Sequence, residues 1–264
     1  AQEEADVFEA TYKEAYLLPE YINEIDAINL LLKDSVRMAI LARDLTDAEK
    51  QGIKDRNPQL IARSRKIAID GIALIVHRDN ADSLISIPTI EKIVSGEITS
   101  WKEINPESNL EKLTVVFDNP NSSTVRFVRD SIAGGHQLYE GLNAQENNQA
   151  VLEYVAKTPN ALGIIGVNWI SNPNDTTNLT FTGDVRVMHV SKTHPANVDN
   201  AYPPLPAFLA LGDYPLRRDV YIVLTDLRGT LLSGFLNFIA GDTGQRIILK
   251  SGLVPATRPI RLIT

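Results

Sequence analysis

The chain has 264 residues, of which 44% are hydrophobic and 22% charged, with no cysteine. That length suits one large or two medium domains with real cores, and the missing thiols exclude disulfide scaffolds, thiolate zinc sites and cysteine nucleophiles. Lys plus Arg number 26 against 33 Asp plus Glu, a net charge of −7, and no basic run exceeds Arg217-Arg218, so nucleic acid and anionic membrane surfaces are poor partners. No apolar run approaches the roughly 18 residues of a membrane span. The N-terminus AQEEADVFEA is acidic and not a basic leader, and any export signal is expected to have been removed.

In chain order, residues 3 to 16 read as an amphipathic helix and 24 to 33 as a second. Ser35 to Leu41 follows as a short apolar strand. Thr46 with Glu49 three residues on is a capping-box pattern, which predicts a helix from Asp47 that stops before Pro58. Lys66 to Val76 is a long buried strand interrupted only by Asp70-Gly71. Ile87-Pro88 opens a helix that Gly96 closes, and Trp101 to Ile104 is a short turn. Leu113 to Phe117 is a strand, Asp118 to Asn121 a turn and Ser122 to Ile132 a helix. A helix over 147 to 157, a strand over 161 to 167 and a surface loop over 171 to 178 come next. Strands at 179 to 190 and 220 to 225 flank a turn-rich stretch, and helices at 229 to 240 and 242 to 251 end the pattern. Alternating strands and helices imply α/β architecture with mostly parallel sheets.

Two strand, turn, helix units hold the polar candidates. A helix that begins after a strand directs unpaired N–H groups and the positive end of its dipole at the crevice, which suits an anion. In Asp118 to Thr124, the hydroxyls of Ser122, Ser123 and Thr124 add donors; a plain N-cap explains the same residues. Arg43-Asp44 ends the Ser35 to Leu41 strand, where open α/β sheets place ligand groups. Arginine grips oxyanions and aspartate accepts from a ligand hydroxyl; an ion pair plus cap is the competing reading. No Gly-x-Ser-x-Gly elbow accompanies Ser122, Ser123, Asp118 and His136, no histidine pair has metal-ligand spacing, and no dinucleotide or Walker fingerprint is present, so hydrolase, metal and cofactor readings lose support.

Several segments together resemble a known family: SVRMAILARDLT, IAIDGIALIVHRDN, IEKIVSGEITSW, VVFDNPNSSTVRFV, NALGIIGV, YPLRRDVYIV and GQRIILKSGLVP, in that order. The chain resembles a divergent branch of the phosphate-binding receptors of ABC-type transporters, within the type II periplasmic binding-protein fold. The resemblance implies two lobes, each a mostly parallel sheet flanked by helices, joined by two hinge crossings, with residues 1–75 and 195–264 in lobe one and 76–194 in lobe two. It implies a non-enzymatic receptor, without cofactor or metal, that captures phosphate or a related oxyanion between lobes for a membrane permease, in the periplasm or otherwise outside the cytoplasm, with lipid anchoring left open. A ligand-free sensory or interaction domain on the same fold is the alternative.

The family's ligand loops map onto Asp44 and onto Ser122, Ser123 and Thr124, with Ser123 in place of a glycine. Two departures stand out. The family opens with a strand and a hydroxyl-bearing loop before the first helix, whereas this chain opens in what reads as that helix, so an incomplete sheet edge is expected in lobe one. Four residues before the Ser-Gly-Thr turn the family carries an arginine, and here Asp118 stands there. That exchange works against a dianion, and Arg126 and Arg43 are the expected compensating charges.

Overall fold

The computed structural model describes residues 2–172, 174–175, 180–226 and 229–257. Local signals set many of its boundaries. α1 (Gln2–Thr11) ends earlier than the apolar spacing predicts, with the Thr11 hydroxyl returned to the Val7 carbonyl at 2.8 Å. α2 (Glu24–Leu32) starts on the Asn23 side chain, which accepts from the Asp26 amide, and β1 (Met38–Leu41) is short. α3 (Asp47–Arg56) begins in the expected capping box, Thr46 to the Glu49 amide and Glu49 back to Thr46. β2 (Arg63–His77) is one continuous strand. After β3 (Leu84–Ser86), α4 (Ile87–Ser95) has Pro88 in its first turn and ends at Gly96 with φ 83°, a left-handed turn that favours glycine.

α5 (Trp101–Ile104), β4 (Thr114–Phe117) and α6 (Ser123–Phe127) follow, and α6 runs into a π turn over Val128–Ile132. β5 (Asn143–Ala144), α7 (Asn148–Lys157) and β6 (Ala161–Gly166) come next. The strand expected over 179 to 190 is two strands, β7 (Val185–Val187) and β8 (His189–Ser191). The break at Met188 is a change of partner, since β7 pairs with β2 and β8 with β3. Residues 173 and 176–179 of the expected loop and strand start lie outside the described residues. β9 (Ala201–Tyr202) and α8 (Pro206–Leu211) occupy the stretch read as turns. Pro206 at the helix start and Gly212 at its end bounded α8 in sequence, but PPLP masked it. β10 (Arg217–Leu224), α9 (Leu231–Ala240), α10 (Asp242–Lys250) and β11 (Val254–Pro255) complete the order.

The chain divides into two compact units, residues 1–69 with 219–264 and residues 70–218. Both passages fall inside long strands, β2 and β10, and not at 75/76 and 194/195 as the sequence suggests. Ile72 to Val76 form a ladder with β6, β9 pairs with β8, and the buried Tyr214 hydroxyl donates to the Ile72 carbonyl at 2.6 Å. These bonds hold 70–75 and 195–218 to the second unit.

In the first unit, β1 pairs antiparallel with β10 and β11 antiparallel with β2; among the described residues β1 is an edge strand. Alternation along β10 decides the layers. Ile222 and Leu224 face Phe8, Phe235, Leu236, Ile239 and Ile248 from α1, α9 and α10, while Val223 joins Ala39, Leu41, Ile28, Leu31 and Ile53 on the side of α2 and α3. Helices therefore cover both faces. In the second unit, β6 runs parallel to β4 and β4 parallel to β5, but β6 is antiparallel to β2. Ala73, Ile75, Val116 and Ile165 pack on Val151 and Val155 of α7. The α/β class stands as read, but strand directions are mixed and not mostly parallel, because β2 and β10 each serve both units and meet their neighbours antiparallel.

Candidate functional site

The second strand, turn, helix unit lies in the 70–218 unit. β4 ends at Phe117, where the parallel ladder with β5 also ends, so the N-termini of α6 and α7 both follow this strand end. The turn is held by the Asn119 side chain, which accepts from the Asn121 amide at 2.8 Å, and by the Ser122 amide, which donates to the Asn119 carbonyl at 2.9 Å. Ser122 caps α6 by accepting from the Val125 amide at 3.2 Å. Ser123 and Thr124 are the first helical residues, whose amides have no acceptor within the helix.

Asp118 is 6% exposed and both its oxygens are engaged. The Ser122 hydroxyl donates to Oδ1 at 2.6 Å, and Asn148, first residue of α7, donates to Oδ2 at 3.1 Å. Burial pushes the Asp118 carboxyl above its ordinary range, against those two hydrogen bonds and the nearby Arg218 charge, which pull it down. The Asn148 side-chain carbonyl oxygen is buried with no partner. The Ser122 proton is thus committed to Asp118, which leaves Ser123, Thr124 and the first amides of α6 as the free donors of the turn.

Sequence reasoning missed the cation of this cluster. Arg218 NH1 donates to Ser123 Oγ at 3.0 Å, while its Nε and NH2 reach Asp70 Oδ2 at 2.9 and 2.8 Å. The Gly71 amide holds the other Asp70 oxygen at 2.8 Å. Two signals existed: Asp70 breaks an otherwise apolar strand, and a buried carboxylate needs a paired cation. Neither said which arginine. Arg126 lies one turn along α6 but forms an i, i+4 pair with Asp130 at 3.8 Å.

The first strand, turn, helix unit lies in the other compact unit, where Arg43 and Asp44 serve α3. Arg43 grips Glu49 with two bonds of 2.8 and 2.7 Å. Asp44 Oδ1 accepts from the Leu45 amide and Oδ2 from Lys50, both at 2.7 Å. Burial tends to raise the Asp44 carboxyl, but Lys50 and the Leu45 amide outweigh it and hold it below the ordinary range. The Arg43 guanidinium does the same to Glu49 against burial, with help from the Thr46 amide. The structure brings together Asp118, Ser122 and Ser123, directs Arg126 to Asp130, and gives Arg43 and Asp44 partners within their own unit. Among the described residues no group of His, Asp and Glu could hold a metal ion, and no helix is long and apolar enough to cross a membrane.

Known proteins bear on this geometry. The phosphate-binding protein PstS of Staphylococcus aureus (strain bovine RF122 / ET3-1) is 24% identical over 213 residues, 80% of this chain and 61% of that protein. The chain therefore spans about three fifths of the length of the curated relatives it matches. A Clostridium perfringens structure, described as a phosphate ABC transporter substrate-binding protein with bound phosphate, superposes with a TM-score of 0.79 at 22% identity, over 97% of this chain and 93% of that one. An ABC-type phosphate transport receptor from Vibrio cholerae gives 0.73 at 19% identity, over 96% and 93%. At these identities the structures establish a shared fold. The model of the PBP superfamily domain matches residues 1–243, and the chain belongs to that superfamily.

Proposed function

We propose that the chain is a solute receptor that binds phosphate or a related oxyanion and passes it to the membrane permease of an ABC transporter, outside the cytoplasm. The observation that carries the reading is the start of α6, where a buried guanidinium meets the Ser123 hydroxyl beside two uncommitted amides. Such a set holds an oxyanion by charge-assisted hydrogen bonds. The relatives and fold neighbours named for phosphate binding and phosphate transport support the choice of ligand. Ser123, Thr124 and their amides are the direct contacts in this reading, and Ser122 is held back by Asp118. Binding and release, without bond breaking, is the whole activity; no nucleophile and base are poised on one another in this cluster, since the Ser122 proton rests on a carboxylate that also takes an amide N–H.

Calorimetric titration with phosphate, sulfate and molybdate tests it. A receptor saturates with one of them at a single site. Absence of heat with all three, in folded protein, removes the receptor reading in favour of a domain that keeps the fold and interacts with other partners.

A further inference from the structure

At position 118 the chain carries a carboxylate where the resembled receptors carry an arginine, so an anion held at α6 needs its positive charge from elsewhere. The sequence neighbours do not supply it: Arg126 is drawn to Asp130, and Arg43 holds Glu49 in the other unit. We propose that Arg218 is the anion-binding cation of the α6 site, and that Asp70 is its positioning residue. This inference rests on the receptor reading above.

The geometry supports the role in three ways. Arg218 is the last residue of its unit before β10 leaves it, with a side chain only 10% exposed, so its charge is little screened. Asp70 takes Nε and NH2 through a single oxygen. This fixes the plane of the guanidinium but spends only part of its five N–H donors, and NH1 is left directed at Ser123. The neighbourhood is also cleared of side-chain bulk. A Cβ on Gly166, at the end of β6, would stand 3.8 Å from Arg218 NH2 and 2.8 Å from the Asn168 amide oxygen. The same guanidinium pulls the Asp118 carboxyl down electrostatically, which places the two opposite charges in one neighbourhood. An arginine from the crossing strand thus stands in for the one missing from the turn, and Asp118 is kept from repelling the ligand by Ser122 and Asn148.

The test is titration with inorganic phosphate of the wild type, Arg218→Gln, the neutral pair Asp70→Asn/Arg218→Gln and the swap Asp118→Arg/Arg218→Gln. Loss of a charge-assisted hydrogen bond predicts roughly 10- to 100-fold weaker binding in the first two variants. The swap restores most of it by returning the charge to the turn. The neutral pair leaves no buried charge unpaired, so it answers the question even where Arg218→Gln alone fails to fold. Wild-type affinity in either folded variant overturns the proposal while leaving the receptor reading in place. A wild type silent to phosphate, sulfate and molybdate overturns the receptor reading and this assignment together.

Discussion

Replacing Arg218 by glutamine should be among the most destabilising polar substitutions in the 70–218 unit. The pair it breaks is 2.8 Å long with side chains 10% and 7% exposed. At that separation the gross attraction is about 6 kcal/mol for an effective dielectric of about 20, most of which repays desolvation. The cost of the single change is therefore set by what it strands. Asp70 keeps the Gly71 amide but loses its counter-charge inside a strand whose neighbours Ile72 to Val76 are wholly buried. Removing one partner of such a pair costs about 3–5 kcal/mol, a large part of a total stability of about 5–15 kcal/mol. Asp70→Asn/Arg218→Gln should lose far less, about 1–2 kcal/mol, because an amide pair can keep the Gly71, Ser123 and mutual hydrogen bonds without buried charge. Both tryptophans, Trp101 and Trp169, lie in this unit, so urea melts followed by intrinsic fluorescence read the right part of the molecule. With a slope of about 2 kcal/mol per M, the single variant's midpoint falls by about 2 M and the double's by less than about 1 M. A single variant within about 1 kcal/mol of wild type, or a double no better than the single, would refute the burial and pairing argued for Arg218.

Three further outcomes follow from other sites. Glu49 has its carboxyl held down by Arg43, so its contribution is complete above the ordinary value of 4.5 and is lost as pH falls through the depressed one; Glu49→Gln should flatten the acid side of the far-UV circular dichroism stability profile, and an unchanged slope counts against the Arg43 clamp. Asp118 has the opposite sign: its raised carboxyl costs stability as pH climbs from 3.8 through the raised value. Asp118→Asn should therefore gain on the wild type across that window and stay ahead at neutral pH, helped by the unpartnered Asn148 oxygen, which can accept from the new amide; a variant less stable at neutral pH than in acid below that window, relative to wild type, contradicts this. Gly71→Ala would put a methyl 2.8 Å from Val167 Cγ2 and 3.0 Å from Leu209 Cδ2, an overpacking worth about 1–3 kcal/mol. Unaltered urea melts in that variant would show that α8 yields freely.

What the sequence made legible was local. The Thr46/Glu49 box, the Pro88 start and the Gly96 stop each concern bonds within four residues, so spacing alone specified them. The Ser122 cap was legible for the same reason. The partition of the chain was less so, because residues 195 to 218 join the second unit through a hydroxyl that reaches Ile72 from Tyr214, a bond with no local signature. The charge logic at α6 failed at the same point. Asp118 looked wrong for an anion site, and compensation was sought in Arg126 and Arg43 because they stand near the candidate turns in sequence. Helical neighbours found their own carboxylates, as exposed arginines readily do. The cation came instead from β10, 148 residues from its aspartate and 95 from its serine. The usable hint was the converse one: Asp70, alone among the apolar residues of β2, had to be neutralised by something. The few candidates for a buried partner include Arg217 and Arg218, which open the other strand shared by both units. Where a two-unit chain passes twice through long strands, an unpaired charge in one passage is best sought against the other, since those strands keep their place whichever loops diverge. On that logic Asp70 and Arg218 form the scaffold of the α6 site, and substitutions in the turn itself, Asp118 included, can drift as long as this pair remains.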